Sequence, residues 1–482
     1  MKKKLLLLVV LSLYQATANA TNLVEVYEQA LVSDPTYQQA IAQQLSTKEG
    51  VPINLSVLLP NASVAAVPSI TRQAFSGSNF NTDVDGTPLS PRNNTQRAYT
   101  LTLTITQTVF DFSKFSKVSG AFAASKGADA TLNAALQSLM IRVSSAYFAV
   151  LKDEDNLSYS EASKLAYAKQ LEQVKQQYNV GLKTITDVYT AQASYDSAVA
   201  TYITAQNVLD NDRENLRVIT GKYYPKLAKL SEAFPLITPS PANIDKWVDT
   251  AQQQNWTIKA SQYNVDNVRQ TIRQQFAGHL PTVSLTGTLS RAYTNDINGY
   301  QSINEPAGPG TTTSRGIAVN INVPIFAGGG VVAQTNQATY NYQVAEQQLE
   351  QSIRSTINTT RQSYLGVMSG ISQVKADKET IQSSISSLEG MEASYRVGTE
   401  TLVDVLNQQQ KVYEAQTEYA TDRYAYVNSI LTLKQAAGTL SVDDLRAINA
   451  WLLENDNTPN RKMIDRAGYH RKKIVKQSKE MH

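Results

Sequence analysis

Tyr178-Asn179-Val180-Gly181-Leu182-Lys183-Thr184-Ile185-Thr186-Asp187-Val188 returns 217 residues later as Tyr395-Arg396-Val397-Gly398-Thr399-Glu400-Thr401-Leu402-Val403-Asp404-Val405. Six of the eleven positions are identical, and the same offset carries Tyr147 onto Tyr364, Gln192 onto Gln409 and Gly221 onto Gly438. A match this long makes the chain two copies of one structural unit. Each stretch also has a local reading. Gly181 and Gly398 stand where a helix should stop, because glycine is favoured just past a helix end. Thr184-x-x-Asp187 and Thr401-x-x-Asp404 are capping-box patterns that start the next helix.

Proline placement extends the map. None of the fifteen prolines falls in residues 92–224 or 325–458, and proline breaks helix interiors. A helix over 113–180 would run roughly 100 Å at 1.5 Å per residue, too long to bury in one compact domain. In the second copy Ile353, Ile357, Thr360, Tyr364, Val367, Ile371, Val374, Lys378, Ile381, Ile385, Leu388 and Tyr395 follow alternating steps of four and three, with one doubled step before Tyr395. That is a coiled-coil seam with left-handed supercoiling.

Short alternating segments precede each helical block. Tyr99, Leu101, Leu103, Ile105 and Val109 alternate with threonines; Ile317, Val319, Ile321, Val323 and Ile325 alternate with Ala318, Asn320, Asn322 and Pro324. Val283, Leu285 and Leu289 form a further strand, matched in the first copy near 62–71. Such period-two stretches fit transmembrane β-strands, apolar outward and polar inward. Outer loops rich in Gly, Asn, Ser and Pro lie near 75–97 and 294–314. Gly328-Gly329-Gly330 lacks the Lys-Ser/Thr of a phosphate loop and reads as the bend from strand to helix.

Composition narrows the chemistry. There is no Cys, which excludes disulfides, thiolate metal sites and a lipidated N-terminal Cys;. The only histidines are His279, His470 and His482, so histidine-based catalysis or metal binding has almost no material;. No catalytic constellation, cofactor motif or metal motif is present, and an enzyme is not expected. Lys2-Lys3-Lys4, the apolar run Leu5–Leu13 and Ala18-Asn19-Ala20 form a secretory signal with its cleavage site;. Without it the basic count falls from 44 to 41, equal to the 41 acids. From Pro459 onward the chain carries a net +6, which leaves −6 on residues 21–458. That body has no basic footprint for nucleic acid.

The expected organisation follows. Residues 1–20 are the signal. Residues 21–225 are the first repeat, with strands at about 60–72 and 98–110 and a helix pair over 113–220. Residues 226–245 link it to the second repeat, 246–445, with strands at about 281–293 and 316–326 and a helix pair over 330–438. Residues 446–482 are a basic, disordered tail.

Four strands cannot close a membrane barrel, since bacterial barrels begin at about eight. An open sheet edge is not viable in lipid. The chain must therefore oligomerise: two copies would give eight strands, with an interior filled by side chains, and three would give twelve, enough to enclose a channel. Three copies give a water-filled pore, which suits inner faces of Thr, Ser and Asn. The long helices then continue the barrel as a helical tube in the periplasm.

Tyr178-x-Val180-Gly181 with Thr184-x-x-Asp187-Val188, and its second copy, resemble the TolC outer-membrane efflux duct family. Ile219-Thr220-Gly221-x-Tyr223-Tyr224-Pro225, Gly278-His279-Leu280-Pro281-Thr282 and Ala437-Gly438-Thr439-Leu440 match as well. The resemblance spans residues 21 to about 450. It implies a homotrimer with a twelve-stranded outer-membrane barrel, continuous with a periplasmic α-helical coiled-coil barrel. It implies docking to a periplasmic adaptor protein and an inner-membrane RND pump or ABC transporter. It implies passive multidrug efflux, type I protein secretion, or both, in a Gram-negative bacterium, with no cofactor.

Asp187 and Asp404 have a purely structural reading as helix caps. The resemblance adds a place at the periplasmic constriction, with Thr186, Tyr395, Glu400 and Asn407 beside them. Like charges crowded there attract cations. The family often has a second acid where this chain has Asn407, and Arg where it has Glu400. Tyr178 and Tyr395 are first of all helix-packing residues. Gly181, Thr184, Gly398 and Thr401 would form the turns that face the adaptor. The rival reading is a structural periplasmic or extracellular coiled coil without a transport role, which leaves the repeated strands unexplained.

Overall fold

The computed structural model describes residues 20–74, 93–296 and 309–453. The expected signal core with Ala18, most of both outer loops and the tail beyond 453 lie outside the described residues. In chain order the elements are α1 (Leu23–Ser33), α2 (Pro35–Ser56), β1 (Asn61–Ala74), β2 (Asn93–Phe110), α3 (Phe112–Asn179), α4 (Ile185–Thr220), β3 (Lys229–Leu230), α5 (Ile244–Gln254) and α6 (Trp256–Phe276). They continue with β4 (Thr282–Asp296), β5 (Gly310–Asn322), α7 (Gly330–Val397), α8 (Leu402–Ala436), α9 (Val442–Asn449) and β6 (Leu452–Leu453). α3 and α7 are each 68 residues long, as the proline-free blocks require.

Two compact units are present, and each draws on both sequence repeats. One comprises residues 43–130 and 259–352; the other comprises 1–42, 131–258 and 353–482. The boundaries fall inside α2, α3, α6 and α7, so the repeats and the spatial units cut the chain differently.

The first unit holds an antiparallel sheet in the order β1-β2-β4-β5. Its register sets Ala66 opposite Leu101, Tyr99 opposite Tyr293 and Leu285 opposite Val319. One face therefore collects Val64, Leu101, Leu103, Leu289, Ile317 and Val319, and the other collects Ser63, Thr102, Thr104, Thr286, Ser290 and Asn320. On the central strand β2 the apolar face is the more open one: Tyr99, Leu101 and Ile105 are 58%, 51% and 44% exposed, while Thr100, Thr102 and Thr104 are half-covered. Across the polar face the hydroxyls of Thr102 and Ser290 lie 3.1 Å apart, and the Asn320 amide donates to Thr286 Oγ1 at 3.1 Å. That polarity is inverted for water and right for a barrel wall in lipid.

The strands differ from their expected limits at both ends. β2 begins at Asn93 rather than 98, β4 runs on to Asp296, and β5 begins at Gly310 rather than 316. Thr311, Thr312 and Thr313 carry no apolar alternation, yet threonine is β-branched and suits a strand paired to a neighbour;. β5 stops at Asn322 rather than 326, because Pro324 has no N–H for a ladder.

The second unit has a conventional apolar core. Leu23, Val26, Tyr27, Leu139, Val143, Tyr147, Phe148, Leu151, Val367, Val427 and Leu431 are buried in it. α3 is the one described helix long and apolar enough to cross a membrane, but half of its apolar window is buried in the fold, as for a core helix. The Tyr147 hydroxyl donates to the Ala228 carbonyl at 2.8 Å, and Tyr426 pins Ile237 through its N–H at 2.6 Å. Arg423 and Tyr424 both donate to the buried Asp155 Oδ2, at 3.0 and 2.8 Å.

The expected tail begins too early. Residues 446–453 complete α9 and form β6, which pairs with β3 from the expected linker. Leu445, Ile448 and Leu452 are buried, so apolar spacing rather than the basic composition beyond 459 governs this stretch;.

Candidate gate at the helix turns

The turn from α3 to α4 and the turn from α7 to α8 share one backbone design. In the first, the Leu182 N–H donates to the Gln177 carbonyl at 2.8 Å and the Gly181 N–H to Tyr178 at 2.9 Å. In the second, Thr399 donates to Ser394 at 3.0 Å and Gly398 to Tyr395 at 3.2 Å. Both are Schellman closures with glycine in the left-handed region, φ 79° at Gly181 and 86° at Gly398;.

The next helix starts by a reciprocal cap. The Thr184 N–H donates to Asp187 Oδ2 at 3.0 Å, and the Asp187 N–H donates to Thr184 Oγ1 at 3.2 Å. Thr401 and Asp404 repeat this at 3.1 and 3.3 Å, and the Thr401 hydroxyl also donates to Asp404 Oδ2. These bonds stabilise the carboxylate form. Asp187 is held below its ordinary value by the Thr184 backbone and then its hydroxyl, with a small effect of Lys183. Asp404 is held low by the Thr401 hydroxyl, then the Thr401 backbone, and last by the Glu400 side chain. Both stay ionised at neutral pH, at a helix start where the dipole favours an anion.

The other expected residues divide. Tyr395 is half-buried against a cluster of Tyr167, Leu171, Val174, Val188, Leu402 and Leu406. Its counterpart Tyr178 is 42% exposed. Thr186, Glu400 and Asn407 are exposed, and the Thr186 carbonyl accepts from the Thr190 hydroxyl at 3.0 Å. Ala20 is buried, and Thr21 bridges to Leu227. Among the described residues no group of three or more His, Asp or Glu is placed to hold a metal ion.

Residues 26–222 and 247–439 match the family model described as outer membrane efflux protein. The chain belongs to that family. It is 37% identical over 459 residues to the outer membrane protein TolC of Escherichia coli (strain K12), covering 93% of this chain and 89% of TolC. It is 26% identical to the alkaline protease secretion protein AprF of Pseudomonas aeruginosa, over 94% and 91% of the two chains. Its fold superimposes on the Campylobacter jejuni CmeC outer membrane channel with a TM-score of 0.73 at 17% identity, over 90% of each chain. This family member is an outer-membrane duct for efflux and secretion in a Gram-negative bacterium and not an enzyme.

One contact in the duct's turns has no counterpart in its helix and strand patterns. Lys183 Nζ lies 4.3 Å from the centre of the Tyr395 ring, so the first turn reaches the end of the second long helix. The Tyr167 hydroxyl likewise donates to the Leu406 carbonyl at 3.1 Å, and within the second copy the Gln408 amide donates to the Ser384 carbonyl at 3.1 Å. The sequence carries no signal for the contact; the 217-residue offset pairs Lys183 with Glu400 and marks only where the charge reverses.

Proposed function

We propose that three copies of this chain close their sheets into one twelve-stranded barrel and form a passive exit duct. The duct is gated where α3 meets α4 and α7 meets α8. The observation that carries the reading is the four-stranded sheet, with one exposed apolar face, one polar face, and β1 and β5 unpaired at its edges among the described residues. Lipid does not tolerate such edges, so they must pair with neighbouring copies. Residues 1–20 act as the export signal, cut after Ala20.

At the gate, threefold symmetry brings together three copies each of Asp404, Asp187, Thr186, Tyr395, Glu400 and Asn407. The caps keep the two aspartates charged and aimed by a rigid helix start. The mouth then attracts cations and closes on a ring of side chains. The Gly181-Thr184 and Gly398-Thr401 turns receive a periplasmic adaptor protein, and an inner-membrane RND pump or ABC transporter supplies the energy. Relatives named for antibiotic efflux and for protease secretion support a cargo of small molecules, proteins or both.

The test is single-channel recording on the purified protein in planar bilayers. Wild type should conduct as a trimer and be blocked by divalent cations from the periplasmic side. Asp404→Ala should weaken that block strongly and Asp187→Ala less. Unchanged block in Asp404→Ala would remove Asp404 from the gate, and absence of a trimeric channel would remove the barrel.

A further inference from the structure

All arginines of the described strands share one face. The register places Arg72 of β1, Arg97 of β2, Arg291 of β4 and Arg315 of β5 on the side of Val64, Leu101, Leu289 and Ile317. All four are exposed. That face has no Asp or Glu in the described strands, and the threonine-rich face has no Lys or Arg.

This is the costly arrangement. On the barrel reading the threonine face lines water, where a guanidinium would be solvated. The other face meets lipid, where Arg costs about 2–4 kcal/mol at the midplane and roughly 0–1 near an interface. On the barrel reading the arginines belong near an interface, where that cost vanishes, because each lies within five residues of the loop-side end of its strand. Arg72 lies 11 residues from Asn61, Arg97 lies 13 from Phe110, and Arg291 lies nine from Thr282. Arg315 lies seven from Asn322, the end of β5, and 11 from Phe326, which closes an exposed apolar stretch with Val323 and Ile325. A strand crosses the hydrocarbon in about 9–11 residues. In the same band Tyr99 and Tyr293 stand opposite each other with ring centroids 6.3 Å apart, as amphipathic rings do at a membrane boundary.

The four also form two diagonal pairs. Ile70, two residues from Arg72, is opposite Arg97; Thr313, two residues from Arg315, is opposite Arg291. Diagonal neighbours lie about 7–8 Å apart, close enough to repel unless an anion lies between them. Guanidinium forks bind phosphate oxygens bidentately. We propose that this arginine–tyrosine band binds the phosphate groups of the anionic glycolipid in the outer leaflet, a reading that rests on the sheet being the barrel wall. The band then anchors the duct's height in the membrane as well as its lipid shell.

The experiment uses the full-length protein in nanodiscs of zwitterionic phospholipid, doped with bis-phosphorylated lipid A or with its dephosphorylated form. Native mass spectrometry counts the retained lipid. Wild type should retain the phosphorylated form in preference. Arg72→Gln/Arg97→Gln and Arg291→Gln/Arg315→Gln should lose retention by roughly fivefold for each arginine removed. Arg72→Lys/Arg97→Lys, which keeps the charge and loses the fork, should fall between. Equal retention of the two lipids by wild type overturns the proposal whatever the variants do, and so does wild-type retention in assembled Gln variants. A wild type that never inserts as a trimer overturns the barrel reading instead.

Discussion

The two helix turns share a backbone and differ in charge. Gly181 and Gly398 close their helices with the same pair of hydrogen bonds, and Thr184 and Thr401 open the next with the same cap. Between cap and glycine, however, Lys183 stands where the second copy has Glu400. Lys183 leaves its own turn and lies over Tyr395, while Glu400 stays beside Asp404. The duplicated backbone sets where the turns are. The unduplicated side chains tie the first turn to Tyr395 and place two acidic residues, Glu400 and Asp404, at the second.

The sharpest way to break the comparison lies at the far end of the helix pairs. Gly221 and Gly438 are repeat counterparts, both in the left-handed region at φ 69° and 74°. A Cβ at Gly438 would lie 2.5 Å from the Gln254 carbonyl oxygen, whereas at Gly221 the nearest atom is Ser33 Cβ at 3.7 Å. Gly438→Ala should therefore cost about 3 kcal/mol or more through overpacking as well as strain, and Gly221→Ala about 1 kcal/mol. Thermal unfolding followed by circular dichroism separates them; equal losses would show that the close approach does not matter.

A pH effect follows from a second difference. The first helix pair buries Asp153, raised by burial and then by Asp212; the second holds Asp377, raised to about 6 by burial and then by Asp422. Their repeat counterparts are Gly370 and Ser160, so the two pairs sit at different levels. A carboxyl whose pKa rises on folding holds its proton more tightly in the folded state. It stabilises the fold below the ordinary value, and that is lost as pH climbs through the folded value. Asp377→Asn should thus raise the melting temperature at pH 8, with little change at pH 4. Asp153→Asn should shift it in the same direction.

Smaller effects sharpen the turns themselves. Thr184→Ala and Thr401→Ala should each cost about 1 kcal/mol, because the caps are the same. A marked inequality between their melting temperatures would show that one turn is held by neighbouring copies. Lys183→Ala should cost about 0.5–1 kcal/mol through the lost cation–π contact and raise the leak of closed channels. Glu400→Ala should leave stability unchanged within the error of the melt.

The architecture was readable because its determinants are local or periodic. Proline-free blocks, the heptad seam and strand alternation each act within a few residues of themselves, and α3, α7 and the four strands follow from them. β5 was misjudged at both ends because a threonine run takes its conformation from β4 and because Pro324 ends the ladder. The caps at Asp187 and Asp404 were readable for the same local reason. The Lys183–Tyr395 contact was not, since it joins residues 212 apart in sequence.

By itself the sequence determined the duplication, the helix and strand periods, the stop glycines and the caps. These depend on backbone sterics and on hydrogen bonds spanning three to five residues. Only the tertiary structure decided which carboxylates face each other, that residues 446–453 fold back onto β3, and that all four strand arginines share the apolar face. Each of those depends on register and on packing between distant segments, and a one-residue slip in any strand would have turned its arginine to the other face.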